Sequence, residues 1–220
     1  MTAPDARQEL DLRGLLRQVE ASGTRPHRFW LAPKPGQQER YERILVAAIE
    51  IAREKGYDAV QMRAVAARSE ASLATVYTYF TSRDYLVFCA VVGWSSLARW
   101  RAGQEADQGG TPEERIMAVW ARLAYVWLDE QRLLETWARS MMTRDTRVAD
   151  AIRNTDWLYW AGDVSELDIA EELKDHLTLA NELFFAGVVR WAFGQADLDT
   201  VLDRVLAFAR RPLEAAAVRS

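Results

Sequence analysis

Cysteine is almost absent from this chain. Cys89 is the only one in 220 residues, so no intrachain disulfide can form. It lies in the apolar run LVFCAVV, where a thiol packs as a small hydrophobe. Histidine is nearly as scarce. His27 and His176 are far apart, and no cysteine or carboxylate cluster gives either a metal-site spacing. There is no glycine-rich phosphate loop and no G-x-S-x-G. The acid pairs Glu113-Glu114 and Glu171-Glu172 fall at helix starts, where the helix dipole favours them. Catalytic residues, metal and cofactor are therefore not expected. No apolar run is long enough to span a bilayer, and no secretory pattern opens the sequence. The expectation is a cytoplasmic protein without a membrane partner.

What the chain does have is helix-forming residues. Half of it is hydrophobic, glycine and proline are few, and no stretch reads clearly as a strand. An all-α fold is expected. The net charge of −4 is unevenly placed. Residues 1–83 carry 13 Lys+Arg against 10 Asp+Glu, and residues 84–220 carry 15 against 22. The N-terminal part is the one suited to a polyanionic partner.

In chain order, residues 1–36 read as a flexible N-terminal arm. A weak amphipathic helix over 7–20 precedes TRPHRFWLAPKPG, whose prolines stop any helix. Arg25, His27, Arg28 and Lys34 beside Phe29 and Trp30 leave open a second reading, a basic arm on DNA backbone or minor groove. A helix over 37–56 carries Ile44, Leu45, Ala48, Ile49 and Ala52 on one face and stops at Gly56. A short helix follows at 62–69, then the turn Ser69-Glu70-Ala71. Ser72 caps a third helix through Phe80. In that helix Val76 and Phe80 share an apolar face, while Ala74 and Thr78 point the other way, flanked by Thr75 and Tyr77. Further helices are expected over 84–102, from Thr111-Pro112, over 130–142 and over 145–161. Two long helices close the chain. The first is capped by Ser165 and reaches Phe193. The second runs from Asp197 to about Arg210, where Pro212 argues against continuation.

The stretch GYDAVQMRAVAARSEASLATVYTYFTSRD resembles the DNA-binding domain of TetR-family transcriptional regulators. The carriers are Gly-Tyr after a long helix, VxMRxVA in a second one, and T-[VL]-Y-x-Y-F followed by a polar pair and a base. The run AVQMRAVA is most similar to actinobacterial repressors of steroid (cholesterol) catabolism. The resemblance implies a helix–turn–helix domain over 37–83 and a helical effector-binding and dimerisation domain over 84–220. It also implies DNA contacts. Thr75, Tyr79 and Arg83 would meet phosphates, and Tyr77 would sit between backbone and bases. Arg63 would reach a base or the backbone, and Leu73, Ala74 and Thr78 would set operator sequence. Glu70 stands where the family often has a turn glycine, and an acid near DNA should cost affinity.

The resemblance further implies a homodimer through the last two long helices. Their apolar stripe comprises Leu177, Ala180, Phe184, Gly187, Val188, Trp191, Val201, Val205 and Phe208, with Ala180 and Gly187 permitting close approach. Eight of nine tryptophans follow residue 90. Trp94, Trp120, Trp127, Trp137, Trp157 and Trp160 suit a pocket for a bulky hydrophobic effector of steroid or acyl-CoA type, with Asn181 or Glu182 as a polar pocket group. The expected function is a homodimeric repressor that binds a double-stranded DNA operator and is released by a small hydrophobic effector. The alternatives are an activator, or a helical small-molecule-binding or interaction protein that no longer reads an operator.

Overall fold

The computed structural model describes residues 12–22, 28–34, 36–105, 111–154 and 171–217. Among these residues the elements are helical: α1 (Leu12–Ala21), α2 (Gln38–Lys55), α3 (Met62–Arg68), α4 (Leu73–Tyr79), α5 (Arg83–Glu105), α6 (Pro112–Asp129), α7 (Gln131–Met141), α8 (Thr146–Arg153), α9 (Glu171–Ala192) and α10 (Leu198–Ala217). Short 3-10 turns lie at Arg28–Trp30 and Tyr57–Ala59. The chain divides into two compact units. The first takes residues 1–97 and 129–153, and the second takes 98–128 and 154–220. This partition differs from the expected break at residue 84. Residues 83–97 of α5, together with α7 and α8, belong to the same unit as α2–α4.

The first unit is built around Ile44, Leu45 and Ile49 of α2, Val65 of α3, Val76 and Phe80 beside α4, and Leu133 and Leu134 of α7, all shielded from solvent. In α5 every residue from Leu86 to Ala98 is buried, as in a helix surrounded on all sides. Burial pushes the Cys89 thiol up to about 12, so this cysteine is packing material. Helix α7 is tied to the end of α2. Arg53 pairs with Glu130 at 2.9 Å, and Arg139 grips both oxygens of Asp58 at 3.0 and 3.1 Å.

Residues 28–34 depart from the flexible arm read in the sequence. Phe29 and Trp30 are buried, as are Leu12, Leu15, Leu16 and Val19 of α1. Trp30 donates its indole N–H to the Gly93 carbonyl at 2.8 Å. Burying an indole with its polar atom satisfied is favourable enough to order a segment whose prolines only bar a helix.

In the second unit α9 and α10 form an antiparallel pair. Gly187 marks their tightest approach, where an added Cβ would lie 2.4 Å from Val201 Cγ1. Helix α10 runs through Pro212 to Ala217, beyond the end expected at Arg210. The proline removes the N–H that would bond the Phe208 carbonyl. His176 of α9 meets that carbonyl instead, with Nε2 at 2.8 Å, so Nε2 carries the proton and donates. Its ring also stacks on Phe208 at 4.3 Å. The Ser165 cap and the tail of the 145–161 segment lie outside the described residues.

Candidate nucleic-acid interface

The turn between α3 and α4 is a Schellman motif. Ala71 N–H donates to Ala66 O at 3.1 Å and Glu70 N–H to Ala67 O at 3.4 Å, with Glu70 at φ +54°. The same motif ends α9, where Gly194 holds the corresponding left-handed position at φ +70°. A residue with a Cβ costs about 1 kcal/mol there relative to glycine. Glu70→Gly is therefore expected to raise the unfolding free energy by about 1 kcal/mol, measured by urea denaturation. It should also tighten DNA binding by removing a carboxylate beside the reading helix.

Ser72 then caps α4 as expected. Its Oγ accepts the Thr75 amide at 3.0 Å and lies 2.8 Å from the Thr75 hydroxyl. The cap fixes which face of α4 is presented. Val76 and Phe80 are fully buried, with Phe80 stacked on Tyr41 at 5.2 Å. Ala74, Tyr77 and Thr78 are exposed, with Tyr77 at 48%, and Leu73 and Thr75 are half-buried. The Thr78 hydroxyl donates to Ala74 O at 3.0 Å and keeps its lone pairs as acceptors. Arg63 on α3 is exposed. This face carries a guanidinium, a phenol, hydroxyls and methyls, a set suited to phosphate oxygens and base edges.

Two expected phosphate residues make contacts within the protein. Tyr79 is only 7% exposed and packs edge-on against Tyr41 at 5.5 Å. It falls on the inward side beside Phe80. Arg83 donates through Nε to Val60 O at 2.8 Å and through Nη2 to Tyr57 O, and its Nη1 pairs with Asp84 at 3.3 Å. Its guanidinium also covers the Tyr57 ring at 4.1 Å, while Arg139 covers the same ring at 4.4 Å. Arg83 thus braces the α2–α3 turn. That turn has few helical bonds of its own, and its carbonyls offer a cation a ready site. Sequence spacing places Arg83 correctly but says nothing about those carbonyls. Around this brace, Asp84 accepts from the Thr143 hydroxyl at 2.5 Å. Asp145 accepts from Ser82 and caps α8 through the Arg147 amide at 2.8 Å. The Ser82 hydrogen bond, foremost, holds the Asp145 carboxyl below the usual aspartate range.

The expected effector tryptophans are not all in one place. Trp94 and Trp137 are buried in the first unit. Trp120 and Trp127 share a recess in the second unit with Leu123, Asn181, Phe184 and Leu202. That recess holds about 340 Å³ of empty space, part of it open to solvent. Trp127 and Phe184 stack across it at 4.4 Å, and Asn181 is buried there. Trp157 and Trp160 lie outside the described residues.

The stripe expected at the dimer interface largely faces inward within the chain. Leu177, Ala180, Phe184, Val188, Val201 and Val205 are buried, and Gly187 sits against Val201. Trp191 and Phe208 are half-buried, Phe208 beneath His176. An apolar stripe on each of two neighbouring helices is satisfied first by the other helix.

Residues 44–88 match the family model described as bacterial regulatory proteins, tetR family. The HTH-type transcriptional repressor KstR of Mycolicibacterium smegmatis is 27% identical over 172 residues, covering 77% of this chain and 84% of that protein. Residues 44–88 carry a DNA-binding domain of the TetR family. KstR of Mycobacterium tuberculosis gives the same identity over 77% of this chain and 78% of its own length. An uncharacterized HTH-type transcriptional regulator of Mycobacterium bovis is 39% identical over 64 residues, 29% of this chain. A solved TetR transcriptional regulator from Rhodococcus sp. RHA1 overlays with a TM-score of 0.64 at 22% identity, over 79% of this chain and 94% of that one, which shows a shared fold. The TetR-family match spans α2–α4 and the first turn of α5, the segment whose presented face is described above. No described helix is long and apolar enough to cross a membrane.

Proposed function

We propose that this DNA-binding regulator is a homodimeric repressor, released from its operator by a hydrophobic small molecule of steroid or acyl-CoA type. The observation that carries the reading is the outward face of α4. Ala74, Tyr77 and Thr78 are exposed on a helix whose other side is buried in the core. With Arg63 they form the base-reading set, while Thr75 and the helix start approach phosphate. The relatives named as repressors favour repression over activation.

The dimer face is assigned to the outer side of α9. Leu179 and Leu183 are 52% and 49% exposed one turn apart, and Ala186 follows on the same side. Isolated exposed leucines are common, but a repeated pair on a long helix suits burial against a second copy. Two linked heads gain affinity through effective concentration at two half-sites about 34 Å apart. The effector site is assigned to the recess of Trp120, Trp127, Phe184 and Asn181. The enclosed space admits little more than a water molecule, so a bulky effector enters only by parting Trp127 from Phe184. Release follows when the occupied form has lower affinity for the operator, and the coupling is reciprocal.

A gel shift on the DNA upstream of the protein's own gene tests this. Affinity should fall steeply with salt, and a steroid carboxylic acid or its coenzyme A thioester should reverse binding while quenching tryptophan fluorescence. Salt-insensitive binding, or operator affinity unchanged by every such ligand, overturns the reading.

A further inference from the structure

The segment before the reading head is held by more contacts than a tail needs. Trp30 is fully buried and Phe29 nearly so. Phe29 meets Phe88 of α5 edge-on at 5.3 Å. Five residues along the same helix, the Gly93 carbonyl accepts the Trp30 indole N–H at 2.8 Å. The seat depends on the glycine, because a Cβ at position 93 would stand 3.0 Å from the Trp30 ring. Glycine in the middle of a buried helix weakens it, and here its use is the space it leaves.

The other side of the segment belongs to α2. Gln38, in the first turn of that helix, accepts the Ala32 amide through Oε1 at 2.8 Å and donates through Nε2 to the Trp30 carbonyl. The same Nε2 donates to Glu42 at 2.7 Å, which fixes the orientation of the amide. A third tie runs from Arg28 to the Ala151 carbonyl of α8 at 3.1 Å. Residues 28–32 therefore bind the first helix of the head, the buried part of α5 and α8 at once.

We infer that Trp30 and Gln38 are positioning residues for operator reading: the segment 28–32 is a strap that holds α2 and α5 in one register, and binding across two half-sites depends on it. The strap acts from inside. A side chain with no exposed surface does not reach a groove, so the strap's effect passes through the angle between the head and α5. That angle sets where each α4 meets the duplex. A single half-site does not test the angle, whereas two half-sites at fixed spacing do. The inference rests on the operator-binding reading proposed above.

The test compares full-length wild type with Trp30→Ala, Trp30→Phe and Gly93→Ala, on duplexes carrying the complete footprinted upstream site or one half of it. Gly93→Ala crowds the seat from the α5 side and leaves the indole intact. Trp30→Phe keeps a ring in the seat without its N–H and serves where Trp30→Ala fails to fold. The expected result is full-site affinity at least tenfold lower for Trp30→Ala and Gly93→Ala and intermediate for Trp30→Phe. Half-site affinity, salt slope and helical circular dichroism should match wild type. The inference is overturned if full-site affinity stays within twofold of wild type, or if half-site and full-site affinity fall together. Failure of wild type to bind the complete site would instead overturn the operator-binding reading.

Discussion

Arg63→Ala and Tyr77→Ala are each expected to weaken operator binding by about 10- to 100-fold while leaving the melting temperature nearly unchanged. Both side chains are exposed on the presented side of α3 and α4, and neither fills the core. Loss of a long side chain at a base edge or the adjoining phosphate costs about 1–3 kcal/mol of binding, and each 1.4 kcal/mol is about tenfold. The two residues should also separate by salt dependence. A guanidinium that neutralises a phosphate releases a counterion, so Arg63→Ala should lower the slope of log affinity against log salt by about one. The phenol carries no charge, so Tyr77→Ala should shift affinity with the slope unchanged. Tyr79→Ala is the contrasting control. Its ring packs on Tyr41, so that variant should lose stability first. Wild-type affinity in both Arg63→Ala and Tyr77→Ala would remove α4 as the reader.

The second large effect belongs to the closing helix pair. Gly187→Leu should destabilise the protein by about 3 kcal/mol, near the upper end for overpacking a core. Even a Cβ at 187 overlaps Val201 Cγ1, and a valine cannot swing aside as a flexible chain would. The smaller change has a sign that depends on its neighbour. Gly187→Ala should destabilise the wild type, because the clash outweighs a helix-propensity gain of about 1 kcal/mol. In a Val201→Ala background the clash is gone and the same substitution should stabilise. Urea denaturation of the four proteins in this cycle measures the coupling. Strictly additive effects would show that Gly187 and Val201 do not meet.

The reading head was legible because its signals are local. Ser72 announces its own cap, and the four-residue step from Val76 to Phe80 defines the buried side within two turns. Tyr79 was read from the family wording instead, which assigns a role to a position without showing which way this ring packs against Tyr41. Arg83 was likewise legible as a cation at a helix start, but not as a brace. Its partners are the carbonyls of Tyr57 and Val60, and backbone acceptors leave no trace in side-chain pattern. Trp30 was illegible for a different reason. The Arg28–Trp30 turn is too short to show a period, and its seat is a glycine 63 residues downstream. In α9 and α10, periodicity finds the apolar stripes but cannot say whether they meet each other or a second chain. Pro212 shows the same limit, since a helix passes through it and His176 of another helix answers the freed Phe208 carbonyl.

The buried thiol has a practical consequence. Cys89 is fully enclosed and protonated at any working pH, so the folded surface of the described residues offers no sulfur to a maleimide or a spin label. A cysteine installed at an exposed position of the first unit such as Lys55 or Met142 would then be the single reactive handle on each copy. In the homodimer proposed above, two such handles would turn the separation of the heads into a distance that can be read with and without the proposed effector.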